Sequence, residues 1–130
     1  MKPTTLNWLR GTEYDIQTAE SLLKARRYVY VIFMCHLAVE KLLKALIAET
    51  SPVPPPRTHN LHRLLELAHI ILPETHADIA AKLNTMSIAT RYPEDIAALS
   101  AEVTRKLAQE YLTKTKELVQ WLRRDARLQP

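Results

Sequence analysis

One glycine and one cysteine among 130 residues are the first constraints on this chain. Glycine supplies the left-handed backbone of tight hairpin turns, so a chain holding only Gly11 is poorly suited to a sheet of short loops. A nucleophile elbow, a Walker A loop and a dinucleotide-binding loop each need at least two glycines, which excludes the common folds built on them. No cofactor is expected. Cys35 alone closes no intrachain disulfide and completes no multi-cysteine metal site, which points to a reducing, cytoplasmic setting. No apolar run approaches the roughly 18 residues of a membrane span, and the opening Met1-Lys2-Pro3-Thr4-Thr5 lacks a signal peptide's apolar core. Neither membrane insertion nor export is expected.

What is present is ordinary globular material: 47% hydrophobic and 25% charged residues. A disordered chain would hold fewer large apolar side chains, and 130 residues suffice for one core but not for two substantial domains, so residues 1–130 read as a single domain. Ala, Leu, Glu, Lys and Arg dominate between the prolines and favour helix. The net charge of +4 permits an acidic or nucleic-acid partner, but it lacks the density of a dedicated duplex binder.

Periodicity predicts a first helix over 6–25, capped by Thr4 or Thr5, with Leu9, Ile16, Ala19 and Leu23 on one face. A second helix over 28–50 is apolar nearly all round in its middle and should be the central one. The prolines within 51–56 stop it. A third helix is predicted over 60–72, capped by Asn60, and a fourth over 75–84. A last long helix is predicted from about Ser100 to Arg127, with Val103, Leu107, Tyr111, Leu118 and Leu122 as its stripe. The expected fold class is all-α: an up-and-down antiparallel bundle of about five helices.

Three groups of residues bear on chemistry. His36, Glu40 and Lys44 recur at i, i+4 along the central helix, with Lys41 alongside. One reading is a cleft in which the lysines meet a phosphate and Glu40 orients them. The other is a surface Glu40–Lys44 pair beside a satisfied histidine. His59, His62, His69 and His76 suggest metal ligands, but no cysteine accompanies them and no H-E-x-x-H pattern exists, so no metal site is expected. The basic clusters 24–27 and 123–127 sit at predicted helix ends, where positive charge complements the dipole.

Four segments together resemble the HEPN domain family: Trp8 with Glu13 and Asp15; the run His36-Leu-Ala-Val-Glu40-Lys41-Leu-Leu-Lys44-Ala-Leu46; Thr58-His59-Asn60-Leu61; and Arg91-Tyr92-Pro93. The resemblance spans nearly the whole chain and is to the prokaryotic, nucleotidyltransferase-associated type. It implies a helical bundle, a homodimer, and pairing with a small nucleotidyltransferase in a toxin–antitoxin-like module. It also implies that His36, Glu40, Lys41, Lys44, His59, Arg91 and Tyr92 border a nucleotide, an RNA or the partner protein.

Many HEPN members are metal-independent endoribonucleases that use an arginine, four to six intervening residues and then a histidine. Here 92–105 contains no histidine after Arg91. Arg57 with His62 and Arg63 with His69 meet the bare spacing, but about one such match is expected by chance among ten arginines and five histidines. The resemblance therefore implies a non-catalytic subunit. The alternative is a ribonuclease toxin acting through Arg57 and His62.

Overall fold

The computed structural model describes residues 1–130 and contains helices joined by loops, with no strand. Six α-helices follow one another: α1 (Pro3–Lys24), α2 (Tyr28–Thr50), α3 (Leu61–Leu67), α4 (Glu74–Arg91), α5 (Ile96–Glu102) and α6 (Arg105–Arg123). A short 3₁₀ turn, Ala126–Leu128, ends the chain's regular structure.

The central position predicted for α2 is observed. Its buried face runs from Val29 to Ala48 and includes Ile32, Leu42, Leu43 and Leu46 at full burial, because α1, α3, α4 and α6 all pack on it. Each such leucine or isoleucine contributes about 1.5–3 kcal/mol by leaving water. Side-chain links give the helix directions. Lys2, before α1, bonds the carbonyls of Ala48 and Ser51 at the far end of α2, so α1 and α2 are antiparallel. Glu20 pairs with Lys116 and Glu13 with Arg123, so α6 runs antiparallel to α1.

The first helix starts earlier than predicted. Pro3 occupies its first turn, where a missing N–H costs nothing, and Lys2 stands at the cap position without a capping side chain. Thr5 is buried instead and donates its hydroxyl to Glu49 at 2.8 Å. The third helix stops at Leu67 rather than near Leu72 because His69 adopts φ 56°. The His69 and Ile70 amides then bond back to Glu66 and Leu65. Arg26, at φ 65°, closes α1 in the same way, with the Arg27 amide on the Leu22 carbonyl at 2.9 Å.

The fourth helix continues past Asn84 to Arg91. The predicted last helix is two helices: α5 ends at Glu102, Val103 turns into the core, and Thr104 caps α6 by accepting from the Leu107 amide at 3.2 Å. It also ends at Arg123, short of Arg127.

Cys35 is fully buried on α2, and burial pushes its thiol up to about 12. A thiol so held stays protonated and behaves as a small core side chain.

Candidate functional site

The i, i+4 spacing of α2 brings His36, Glu40 and Lys44 onto one line, and the packing of α1 and the 58–60 segment buries all three. The Glu40–Lys44 contact, 3.1 Å, is therefore no surface pair: neither side chain is more than 7% exposed. A buried carboxylate needs partners on both oxygens. Glu40 Oε2 accepts from Lys44 Nζ, and Oε1 accepts from His59 Nδ1 at 2.9 Å. Lys44 in turn lies 5.6 Å from the centre of the Trp8 ring, a cation–π distance.

His36 holds the same loop by its backbone. Its Nε2–H donates to the His59 carbonyl at 2.9 Å, while Nδ1 sits 3.8 Å from Glu40 Oε1. Burial lowers the His36 pKa most; the Glu40 carboxylate and the hydrogen bond to the His59 carbonyl oppose it, and the charge of Arg91 adds to the lowering. His36 is thus a neutral donor with no surface of its own. It has no surface with which to meet a ligand, and Glu40 spends both carboxylate oxygens on Lys44 and His59; together they fix His59, whose ring stays half-exposed.

The loop is pinned from three further directions. Thr58 accepts from the Asn60 amide, Asn60 caps α3 by accepting from His62 and Arg63, and Asn84 on α4 accepts from the Leu61 amide at 2.8 Å. The Thr58-His59-Asn60-Leu61 segment is therefore a docking element between α2, α3 and α4.

Lys41 does not join the cluster. It pairs with the buried carboxylate of Asp15 on α1 at 2.8 Å, and its stem passes over Gly11. Arg91, the last residue of α4, lies with its guanidinium 4.9 Å from the centre of the Phe33 ring on α2. Tyr92 beside it is 72% exposed. The structure thus gathers His36, Glu40, Lys44 and His59, and sets Lys41 and Tyr92 outside their hydrogen-bond network. Sequence reasoning attached no chemistry to Asp15 or Asn84, since both act across 23 or more residues with no local signal.

Arg57 and His62 are both exposed, and no hydrogen bond or ion pair joins them. The remaining histidines are dispersed: His69 closes α3 and His76 lies against Trp121 with ring centres 5.7 Å apart. No three His, Cys, Asp or Glu side chains converge in a metal-binding arrangement.

A family model described as HEPN domain matches residues 5–125. The chain belongs to the HEPN family. Two solved structures resemble this HEPN domain closely. TT1696 from Thermus thermophilus superposes with a TM-score of 0.79 at 23% identity, covering 93% of this chain and 97% of that one. ST0689, described as an archaeal HEPN homologue, superposes with a TM-score of 0.75 at 22% identity, covering 95% and 97%. At these identities the likeness establishes the shared bundle. No curated protein matches the sequence.

Proposed function

We propose that this HEPN domain is a non-catalytic subunit that forms a homodimer and pairs with a small nucleotidyltransferase in a toxin–antitoxin-like module. The observation that carries the reading is the apolar face across α4 and α5. Ile88, Tyr92 and Ile96 are 71%, 72% and 49% exposed, and α5 buries none of its residues within the chain. A short helix with no fully buried residue, whose Leu99 alone packs on the core, beside an exposed tyrosine, fits a surface completed by another chain.

The chemistry around Arg91 agrees. Its guanidinium is stacked on Phe33, and no histidine follows within 92–105 to act as its acid–base partner. Lys44 and His59, tied to Glu40, together with Lys41 on Asp15, offer positive or polar edges to a nucleotide bound where the partner meets the domain. The alternative ribonuclease reading rests on Arg57 and His62, which stand exposed without contact to each other.

Co-expression with a tagged small nucleotidyltransferase from the same genome tests the proposal. A stable complex that raises the HEPN subunit's melting temperature is the expected result. Absence of both co-purification and stabilisation rejects the pairing. Metal-free RNA cleavage by the isolated chain, lost in His62→Ala, would replace this reading with the ribonuclease one.

A further inference from the structure

A groove of about 530 Å³ opens between the end of α4 and α5, beside the exposed Ile88 and Tyr92. Its charged lining is all of one sign: Glu94, Asp95 and Glu102. No lysine or arginine lines it, and Arg105 and Lys106, next along the chain, stand outside. The ion pairs within the chain engage other acids, so these three carboxylates face no cation of their own chain. Asp95 alone has a polar partner, the Ala98 amide that it caps at 3.0 Å. An apolar groove rimmed by unpaired carboxylates fits an apolar surface that carries cations.

The same end of the bundle offers such a surface. At the turn from α1 to α2, Lys24, Arg26 and Arg27 are exposed, and none of them enters an ion pair. The first turns of α2 follow with the exposed Tyr30 and the part-buried Phe33, whose rings meet edge to face at 6.3 Å. Arg91, its guanidinium 4.9 Å from the centre of the Phe33 ring, joins this aromatic strip to Tyr92 and the groove. Cations, aromatic rings and carboxylates thus follow one another in a single band: basic at the α1–α2 turn, apolar through Tyr30, Phe33 and Tyr92, and acidic at α5.

A band in that order is complementary to itself under a twofold rotation. Turned by half a revolution and laid on a second copy, it sets basic end on acidic end twice and apolar middle on apolar middle. We infer that the occupant of the acidic groove is a second copy of this chain, with Lys24 and Arg27 of each protomer paired to Glu94 and Glu102 of its partner. The inference rests on the homodimer reading and adds what sets the dimer's register. Without those reciprocal pairs, two acidic grooves brought face to face would repel.

Two charge-reversed forms of the full chain test it: Glu94→Lys with Glu102→Lys, and Lys24→Glu with Arg27→Glu. All four positions are exposed, so each form should keep the wild-type circular dichroism. Alone, each should dimerise about hundredfold more weakly than the wild type in sedimentation equilibrium, because like charges then meet at both ends of the band. Mixed one to one, the two forms should recover a dimer of wild-type strength, since every contact in the mixed pair is again of opposite sign. A wild-type chain that sediments as a monomer rejects the homodimer itself. A wild-type dimer whose reversed forms dimerise undiminished, or weaken and are not restored on mixing, overturns the inference and leaves the homodimer standing.

Discussion

His36 reaches from the middle of α2 to the backbone of His59, donating its Nε2–H to that carbonyl at 2.9 Å with no surface left to solvent. The bond ties a loop to the core by a side chain that must remain neutral, which makes the contact sensitive both to truncation and to acid.

Truncation comes first. His36→Ala removes the donor, strands the His59 carbonyl and leaves a cavity beside Glu40. The expected loss is about 2–4 kcal/mol in urea denaturation. A loss below about 0.5 kcal/mol would mean that the loop is held by Asn60 and Asn84 alone.

The acid response follows from the lowered His36 pKa, whose main cause is burial. Below the ordinary histidine value of 6.5 the unfolded chain takes up a proton that the folded chain refuses. The contribution is thus fully present above that value and is lost as pH falls toward the folded pKa, with a slope of at most about 1.4 kcal/mol per pH unit. Stability measured from pH 7.5 down to 5 should fall in the wild type and fall less steeply in His36→Gln. Parallel curves would remove His36 as the source.

The sequence made α2 legible from end to end, because an all-round apolar run stopped by a proline loop has few alternatives to a central helix. The break at Val103 was not legible. No glycine or proline marks it, and only the burial of Val103 against the rest of the bundle shows why the chain turns there. The line of His36, Glu40 and Lys44 followed from helical spacing alone. Its burial did not, nor did the diversion of Lys41 to Asp15, since both depend on how α1 and the 58–60 loop pack on α2.

Arg26 and His69 adopt positive φ, which a chain with a single glycine must fill with bulkier residues. Neither side chain makes a hydrogen bond or ion pair, so the left-handed conformation is carried without compensation from its own side chain. Arg26→Gly and His69→Gly should each stabilise by about 1 kcal/mol, less the entropy glycine adds to the unfolded chain. Thermal melts showing destabilisation in both would indicate that these side chains act in packing.

Gly11 faces the opposite situation. A Cβ there would stand 3.0 Å from Lys41 Cδ, so alanine must displace the stem that delivers Lys41 to Asp15. Gly11→Ala should gain about 1 kcal/mol of helix propensity only in a Lys41→Ala background, and little or nothing in the wild type. A double-mutant cycle reads the difference directly. Equal effects in both backgrounds would show that the Lys41 stem yields freely.

The apolar face of α4 and α5 carries the dimer proposal and can be separated from folding. Ile88 and Tyr92 are each more than 70% exposed, so they contribute little to the monomer's own core. Ile88→Lys with Tyr92→Ser should therefore keep the helical circular dichroism while halving the mass seen by light scattering, from twice 15.0 kDa to 15.0 kDa. The wild-type melting temperature should rise with protein concentration, as mass action requires of a dimer, and that dependence should vanish in the variant. A wild type that scatters as a monomer at high concentration rejects the dimer. A variant that remains dimeric moves the interface to another face.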